Sequence, residues 1–255
     1  ISNADYHAAK EIEGLPAVSS SYAKAVHKIS LAHANADKGP KFSTAFDIGT
    51  ATHGWALEGV LPIKGPDTRR GSAWQEAKAE AALRDTVALT SRDYDKVERM
   101  VEALRENEHI AKLLDHPKRI VEASVFAKHD VGLCMKARPD LLIEKQGLVV
   151  DVKTTISAEP YAFERQAHSL GYAVQAAWYV KTLALVGIKA KRFLFANVEK
   201  EPPYATSIVE VGDDLMKHSA KIVERVLIEI QQAKETNSYP TGWPAVHVAT
   251  LPNWI

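Results

Sequence analysis

The stretch MKARPDLLIEKQGLVVDVKTT, residues 135–155, constrains the fold more than any other. It holds two apolar runs that read as neighbouring β-strands, yet it carries three charged groups, Asp140, Asp151 and Lys153, toward one place. In GLVVDVK the side chains alternate. Leu148, Val150 and Val152 take one face, and Val149, Asp151 and Lys153 take the other. With Lys145 and Gln146 as a two-residue loop, Glu144 pairs with Gly147, and the count sets Asp140 opposite Asp151 on the same face. A three-residue loop would slip this register by one. Two carboxylates a few ångströms apart repel by about 4 kcal/mol at an effective dielectric of 20. Lys153 offsets part of that repulsion, and a divalent cation offsets more. An exposed salt-bridge cluster on an ordinary hairpin explains the spacing about equally well. Pro139 tips the balance, because proline inside a strand marks an edge or a bulge, and bulges re-aim side chains at active sites.

Around this stretch the hydrophobic period changes once. Before Ile120 it is helical. SSSYAKAVHKI offers Ser19, Ser20 or Ser21 as an N-cap, a short apolar helix surrounds His53, and a helix starts at Ser72. SRDYDKVERMVEALRENEHIAKLLDH reads as one helix, with Val97, Met100, Val101 and Leu104 on its apolar side. From Ile120 the pattern alternates. IVEASVFAK, LCMKARPDLLIE and GLVVDVKTT read as three strands of a half-buried sheet. A helical region follows, ending at Gly187 as a C′ residue. KRFLFANVE and YATSIVEV read as two more strands, and a long amphipathic helix from Asp213 has acidic residues at its start. The fold class is α/β (α+β), with a mixed central sheet flanked by helices. The expected organisation is a single domain over 1–255: a mainly helical section over 1–118, a sheet-containing catalytic core over 119–230 and an irregular tail over 231–255.

Bulk properties exclude several classes. Of 255 residues, 46% are hydrophobic, which is enough for one sizeable core. Lys plus Arg and Asp plus Glu both number 32, so net charge does not announce a nucleic-acid binder, although a local basic groove is compatible with it. The single Cys134 excludes a disulfide framework and multi-cysteine metal sites. It suits a reducing cytoplasm. No apolar run approaches a membrane span, and the first residues lack a signal-peptide pattern. There is no P-loop, G-x-G-x-x-G, H-E-x-x-H or G-x-S-x-G.

RPD, followed eleven residues after its aspartate by DVK, resembles the signature of the PD-(D/E)XK nucleases. FDIGTATHGWALEG, KARPDLLI, GLVVDVKTT and GYAVQAAWYV together resemble the exodeoxyribonuclease VIII (RecE-like) branch of phages and prophages. The resemblance spans about residues 6–180 and, weakly, the Trp-containing tail. It implies a restriction-endonuclease-like core and a bacterial-host or phage-encoded cytoplasmic enzyme. It further implies that Asp140 and Asp151 bind catalytic Mg²⁺, or Mn²⁺ in its place, and that Lys153 is the catalytic lysine. His53 matches the histidine of the GTxxH segment beside the metals. Glu122 matches an upstream acid that ligates a second metal. Gln175 and Tyr179 match Q-x-x-x-Y, facing the site or the DNA. The implied reaction is hydrolysis of DNA phosphodiesters, 5′ to 3′ from duplex ends, by in-line attack at phosphorus. A ring-shaped homo-oligomer, trimer or tetramer, and a single-strand annealing partner are implied by the family alone.

Read without the family, Gln175 and Tyr179 share one helix face, four residues apart. A buried amide and phenol serving the backbone is the blander reading of the pair. His53 alone is one of ten histidines, and Glu122, alternating with Ile120 and Ser124, is an edge charge. DTRRGSAW offers Arg69, Arg70 and Trp74 at a helix start as a DNA- or phosphate-contacting loop, against an equally weighted solvated basic loop. Lys10, Lys136, Arg138 and Lys153 add positive charge to a groove. Trp55 and Trp178 belong to apolar helices and read as core. Two other functions fit the same residues: a PD-(D/E)XK repair nuclease acting on single strands or flaps, and a non-catalytic DNA-binding module.

Overall fold

The computed structural model describes residues 1, 3–36, 43–246 and 248. The expectations for Gly39–Phe42 and for the end of the Trp-containing tail, Trp254 included, lie outside the described residues.

The N-terminal section is not purely helical. Helix α1 (Asn3–Ala8) leads into strands β1 (Glu11–Ile12) and β2 (Leu15–Ser19). Helix α2 (Ser20–Lys28) follows, capped by Ser19, whose hydroxyl accepts from the Tyr22 amide. Then come α3 (Leu31–Asn35) and α4 (Thr44–His53), which continues into one π-helical turn over Gly54–Glu58. Strand β3 (Ile63–Lys64), helix α5 (Ser72–Leu83) and strand β4 (Ala88–Leu89) form a small layer of their own. The predicted single helix from Ser91 is two: α6 (Ser91–Glu106) and α7 (Glu108–Leu114). Asn107 divides them. Its extended backbone ends α6, and its side chain accepts from the His109 and Ile110 amides to cap α7.

Two of the predicted strands are also divided, and this sets the architecture. IVEASVFAK forms β5 (Ile120–Val121) and β6 (Val125–His129), and LCMKARPDLLIE forms β7 (Leu133–Ala137) and β8 (Leu141–Ile143). Glu122 at φ +50° ends the first, and Pro139, which has no amide hydrogen, falls between the halves of the second. Strand β9 (Leu148–Thr155), helices α8 (Pro160–Leu170) and α9 (Tyr172–Leu185), strands β10 (Arg192–Glu199) and β11 (Thr206–Glu210) and helix α10 (Asp213–Thr236) complete the chain. Helix α10 runs six residues into the segment expected to be irregular, because Ile230 and Ala233 are still buried on its inner face.

Among the described residues there are therefore two main mixed sheets rather than one. The first has strand order β1-β2-β7-β6 and the second β11-β10-β9-β8-β5. The section expected to be mainly helical supplies β1 and β2 to the first. In the second, β9 pairs parallel with β10 and antiparallel with β8. Helices cover both faces of this second sheet, so its central strands β8, β9 and β10 are largely buried rather than half-buried. On one side Val150, Val152, Leu194 and Ala196 pack with Ile48 of α4 and with Met100 and Leu104 of α6. On the other side Val149, Phe193 and Phe195 pack with Trp178 of α9 and Leu227 of α10. A sheet covered on both faces reads as apolar runs, as Leu148–Val150 of β9 and Phe193–Ala196 of β10 do.

The register of β8 on β9 is the expected one. Leu141 opposes Val150 and Ile143 opposes Leu148, so the same count sets Asp140 against Asp151. The connection differs: it is a 3-10 turn over Glu144–Gln146 closed by Gly147 in the left-handed region. A Cβ on Gly147 would lie 2.6 Å from the Lys189 carbonyl oxygen. Gly147→Ala is expected to cost more than the roughly 1–2 kcal/mol of a left-handed alanine. Gly59→Ala, also left-handed but with nothing within 4 Å, serves as the control for the backbone cost alone. Urea unfolding of both variants measures the difference.

Candidate active site

After β5 the chain steps between the two sheets twice, and these steps lie side by side. It leaves the second sheet after β5, through Glu122–Ser124, and returns to it through Arg138–Asp140. The Glu122 amide donates to the Asp140 carbonyl at 3.0 Å, and Arg138 Nε donates to Glu122 Oε2 at 2.7 Å. Glu122 is thus placed by a crossing rather than by the strand face on which its alternation put it. Asp140 enters β8 with its carboxylate turned onto β9, where Oδ2 accepts from the Val152 amide at 2.7 Å.

Helix α4 brings His53 to the same point. It packs against β9 and α6, and His53 Nδ1 lies 3.5 Å from Asp140 Oδ2. His53, Glu122 and Asp140 each offer a ligand atom, all within 4.8 Å of one another. These side chains line a cleft of about 770 Å³, together with Tyr6, Ser20 and Tyr179. Two carboxylates and an imidazole suit a divalent cation, and the electrostatics agree with that donor set. Burial first, and then the charge of Asp151, raise the Asp140 carboxyl well above the usual range. Burial, followed by the charge of Lys153, lowers the His53 imidazole and favours the neutral form that ligates metals. The raised Asp140 carboxyl describes a site short of positive charge at its acids.

Asp151 is 1% exposed and stands outside the three-residue set. Its Oδ1 accepts from Gln175 Nε2 at 2.7 Å, and its Oδ2 faces Lys153 Nζ in an ion pair with no other partner among the described residues. Burial works against the Lys153 ammonium, but Asp151, Asp140 and Tyr172 together outweigh it, so its pKa lies above the ordinary lysine value. The ammonium also sits 4.6 Å from the centre of the Tyr172 ring. Gln175 and Tyr179, on one face of α9, both turn toward this cluster. Burial first, and then Asp151, push the Tyr179 hydroxyl well above its usual range, and Ser20 is its hydrogen-bond partner.

The predicted DNA-contact groups are not gathered here. Arg69 donates to Asp47 at 2.7 Å, lies 3.5 Å from Asp93 and stacks on Trp74, so its charge is engaged inside the protein. Trp74 is 7% exposed, in its own cluster with Ala77, Ala81 and Ala88, and offers no open ring face. Arg70 is exposed, and α5 starts at Gly71 without a side-chain cap. Lys136 is also internal. Its ammonium donates to the Tyr6 and Ala9 carbonyls at 2.8 and 2.7 Å, closing the C-terminal end of α1. Arg138 does border the cleft, and Lys10 is exposed. Trp178 is core, donating to the Lys136 carbonyl, and Trp55 is partly buried against Tyr94. Sequence reasoning missed Lys24, whose Nζ donates to Gln175 Oε1 at 2.9 Å. Burial, then the charge of Lys153, hold its pKa down to about 8. It also missed Tyr172, which underlies both lysines. The available signal was spacing: Lys24 lies four residues beyond Ser20 on one face of α2.

Residues 19–245 match a family described as a PDDEXK-like domain of unknown function (DUF3799). No curated protein sequence matches the chain. Among solved structures, a candidate exonuclease from Eubacterium rectale is similar at a TM-score of 0.69 and 15% identity, over 99% of this chain and 95% of that one. A phage related exonuclease from Haemophilus somnus 129PT has a TM-score of 0.34 and 10% identity, over 83% of this chain and 95% of that one. The first of these shows a shared fold.

Asp140→Asn and Glu122→Gln are each expected to weaken Mn²⁺ binding by about tenfold or more, read by electron paramagnetic resonance of the free ion. Unchanged binding in both variants would remove these residues from the ligand set.

Proposed function

This chain belongs to the PDDEXK-like domain family (DUF3799), and from that membership we propose that it is a divalent-metal-dependent exodeoxyribonuclease. Its substrate is duplex DNA with free ends, and it degrades one strand 5′ to 3′ in phage-type recombination. The whole chain acts as one nuclease domain in the cytoplasm of a bacterial host. One observation carries the reading: acids from two chain crossings meet an imidazole in a single cleft, and the buried Asp151–Lys153 pair of β9 acts on Asp140 from behind it.

His53, Glu122 and Asp140 would hold a divalent cation, Mg²⁺ or Mn²⁺, and Asp151 would join them from β9. Such a cation supplies Lewis acidity, lowering the pKa of a nearby water and drawing charge from a phosphate oxygen. The chain supplies the rest. Lys153, held protonated by the surrounding acids, places a fixed positive charge where the phosphate becomes more negative during attack. Gln175 fixes the Asp151 carboxylate, and Tyr179 closes the cleft wall from α9. Arg138 orients Glu122 and brings a second cation to the rim.

Exonuclease action, polarity and the end preference rest on the resemblance of the ordered motif set to the exodeoxyribonuclease VIII branch. So do the ring-shaped trimer or tetramer and the annealing partner. With equal numbers of acidic and basic residues, enclosure of DNA by a ring would replace bulk attraction as the source of processivity.

The test is digestion of a blunt, 5′-phosphorylated, end-labelled duplex with Mg²⁺, beside single strands and flaps. Release of the 5′ label first, abolished by chelator, is expected. Lys153→Ala is expected to lower the rate about 10²–10³-fold with the fold intact by circular dichroism. Preference for single strands or flaps would favour a repair nuclease. DNA left intact by the wild type with either ion would end the catalytic reading.

A further inference from the structure

Lys24 belongs to none of the motifs, and α2 delivers it behind the site. Four side chains from α2, α9 and β9 form one line there. Lys24 Nζ donates to Gln175 Oε1 at 2.9 Å, Gln175 Nε2 donates to Asp151 Oδ1 at 2.7 Å, and Asp151 Oδ2 faces Lys153. The line is well shielded, with Gln175 6% and Asp151 1% exposed. Its polarity is dictated by chemistry. A glutamine amide has an acceptor end and a donor end of nearly equal size, so either order fits the same space. An ammonium has three donors and no acceptor, and an ionised carboxylate only accepts. Lys24 therefore admits only the carbonyl end of Gln175, which forces the NH₂ end onto Asp151. With the amide reversed, a carbonyl dipole would face a buried carboxylate.

The rest of the environment holds Lys24 in this pose. Its stem runs alongside Gly171, where a Cβ would meet Lys24 Cγ and Cδ at 3.5 Å. Its ammonium lies 5.4 Å from the centre of the Tyr172 ring, which also carries Lys153. The two cations share one aromatic ring and one carboxylate, reached directly by Lys153 and through an amide by Lys24.

We infer that Lys24 is a positioning residue of the active site: by fixing the direction of the Gln175 amide, it aims the Asp151 carboxylate. Its functional meaning rests on the nuclease reading above, whereas the contact itself does not.

Two readouts separate these. The first needs no activity. In protein labelled with side-chain ¹⁵N-glutamine, the Gln175 resonances are identified by their loss in Gln175→Ala. They are expected to shift in Lys24→Met and to move back toward the wild-type position in Lys24→Arg. Resonances that do not respond to Lys24→Met overturn the inference. The second is Mg²⁺-dependent hydrolysis of duplex DNA. Lys24→Met is expected to lower kcat about ten- to hundredfold with KM unchanged. Lys24→Glu, which invites the reversed amide, should lose more, and Lys24→Arg should recover most of the rate. In a Gln175→Ala background Lys24→Met should add no further loss. A rise in KM alone, or losses that multiply with Gln175→Ala, would mean that Lys24 meets the phosphate directly and overturn the inference. A lower unfolding midpoint with unchanged kcat overturns it as well. If the wild type does not cut DNA, the nuclease reading fails, and the glutamine spectrum decides the Lys24 contact by itself.

Discussion

The compensation of buried negative charge governs this molecule. Asp140 and Asp151 are placed against each other by a strand register, and Glu122 is brought to Asp140 by a neighbouring crossing. Burial leaves little water to solvate them, so repulsion that would be weak at a surface is strong here. The chain answers unevenly. Lys153 pairs with Asp151 directly, and Lys24 reaches it through Gln175. On the cleft side Arg138 meets Glu122, while Asp140 has a backbone amide and an imidazole that burial keeps neutral. The uncompensated part of the charge therefore faces the open cleft. That asymmetry marks where a cation from solution belongs.

Much of this was legible in the sequence because it follows from local rules. Alternation in GLVVDVK fixed the shared face of Asp151 and Lys153, and counting through the turn fixed Asp140 opposite Asp151. The turn has more residues outside the ladder than the expected loop, yet the register is the same, because both close on the Glu144–Gly147 pair. Helical spacing put Gln175 and Tyr179 on one face. The resemblance to a nuclease branch supplied His53 and Glu122, which no local rule distinguishes from other histidines and acids.

What escaped is non-local. Alternation says that a segment is a strand, not which sheet it joins, so the divisions at Glu122 and at Pro139 were read as continuous strands. Charge in a sequence says nothing of its partner. Arg69 and Lys136 look like groove cations, but one is clamped by Asp47 and Asp93 and the other closes a helix end. Trp74 beside two arginines looks like part of a DNA-contacting loop, but it packs in a small alanine-lined cluster. Lys24 carries no motif, and its meaning appears only when α9 folds back onto α2.

The paired crossings have a mechanical consequence. Each acid at the cleft floor is tethered at one end to the first sheet and at the other to the second, so its position is a joint property of both layers. A shear of a fraction of an ångström between the layers would be felt by Glu122 and Asp140 together, and in step, because an amide and a guanidinium tie the two crossings to each other. The floor behaves less like a set of independent posts than like a hinge pin through two leaves, keeping its internal spacing while the leaves flex around it.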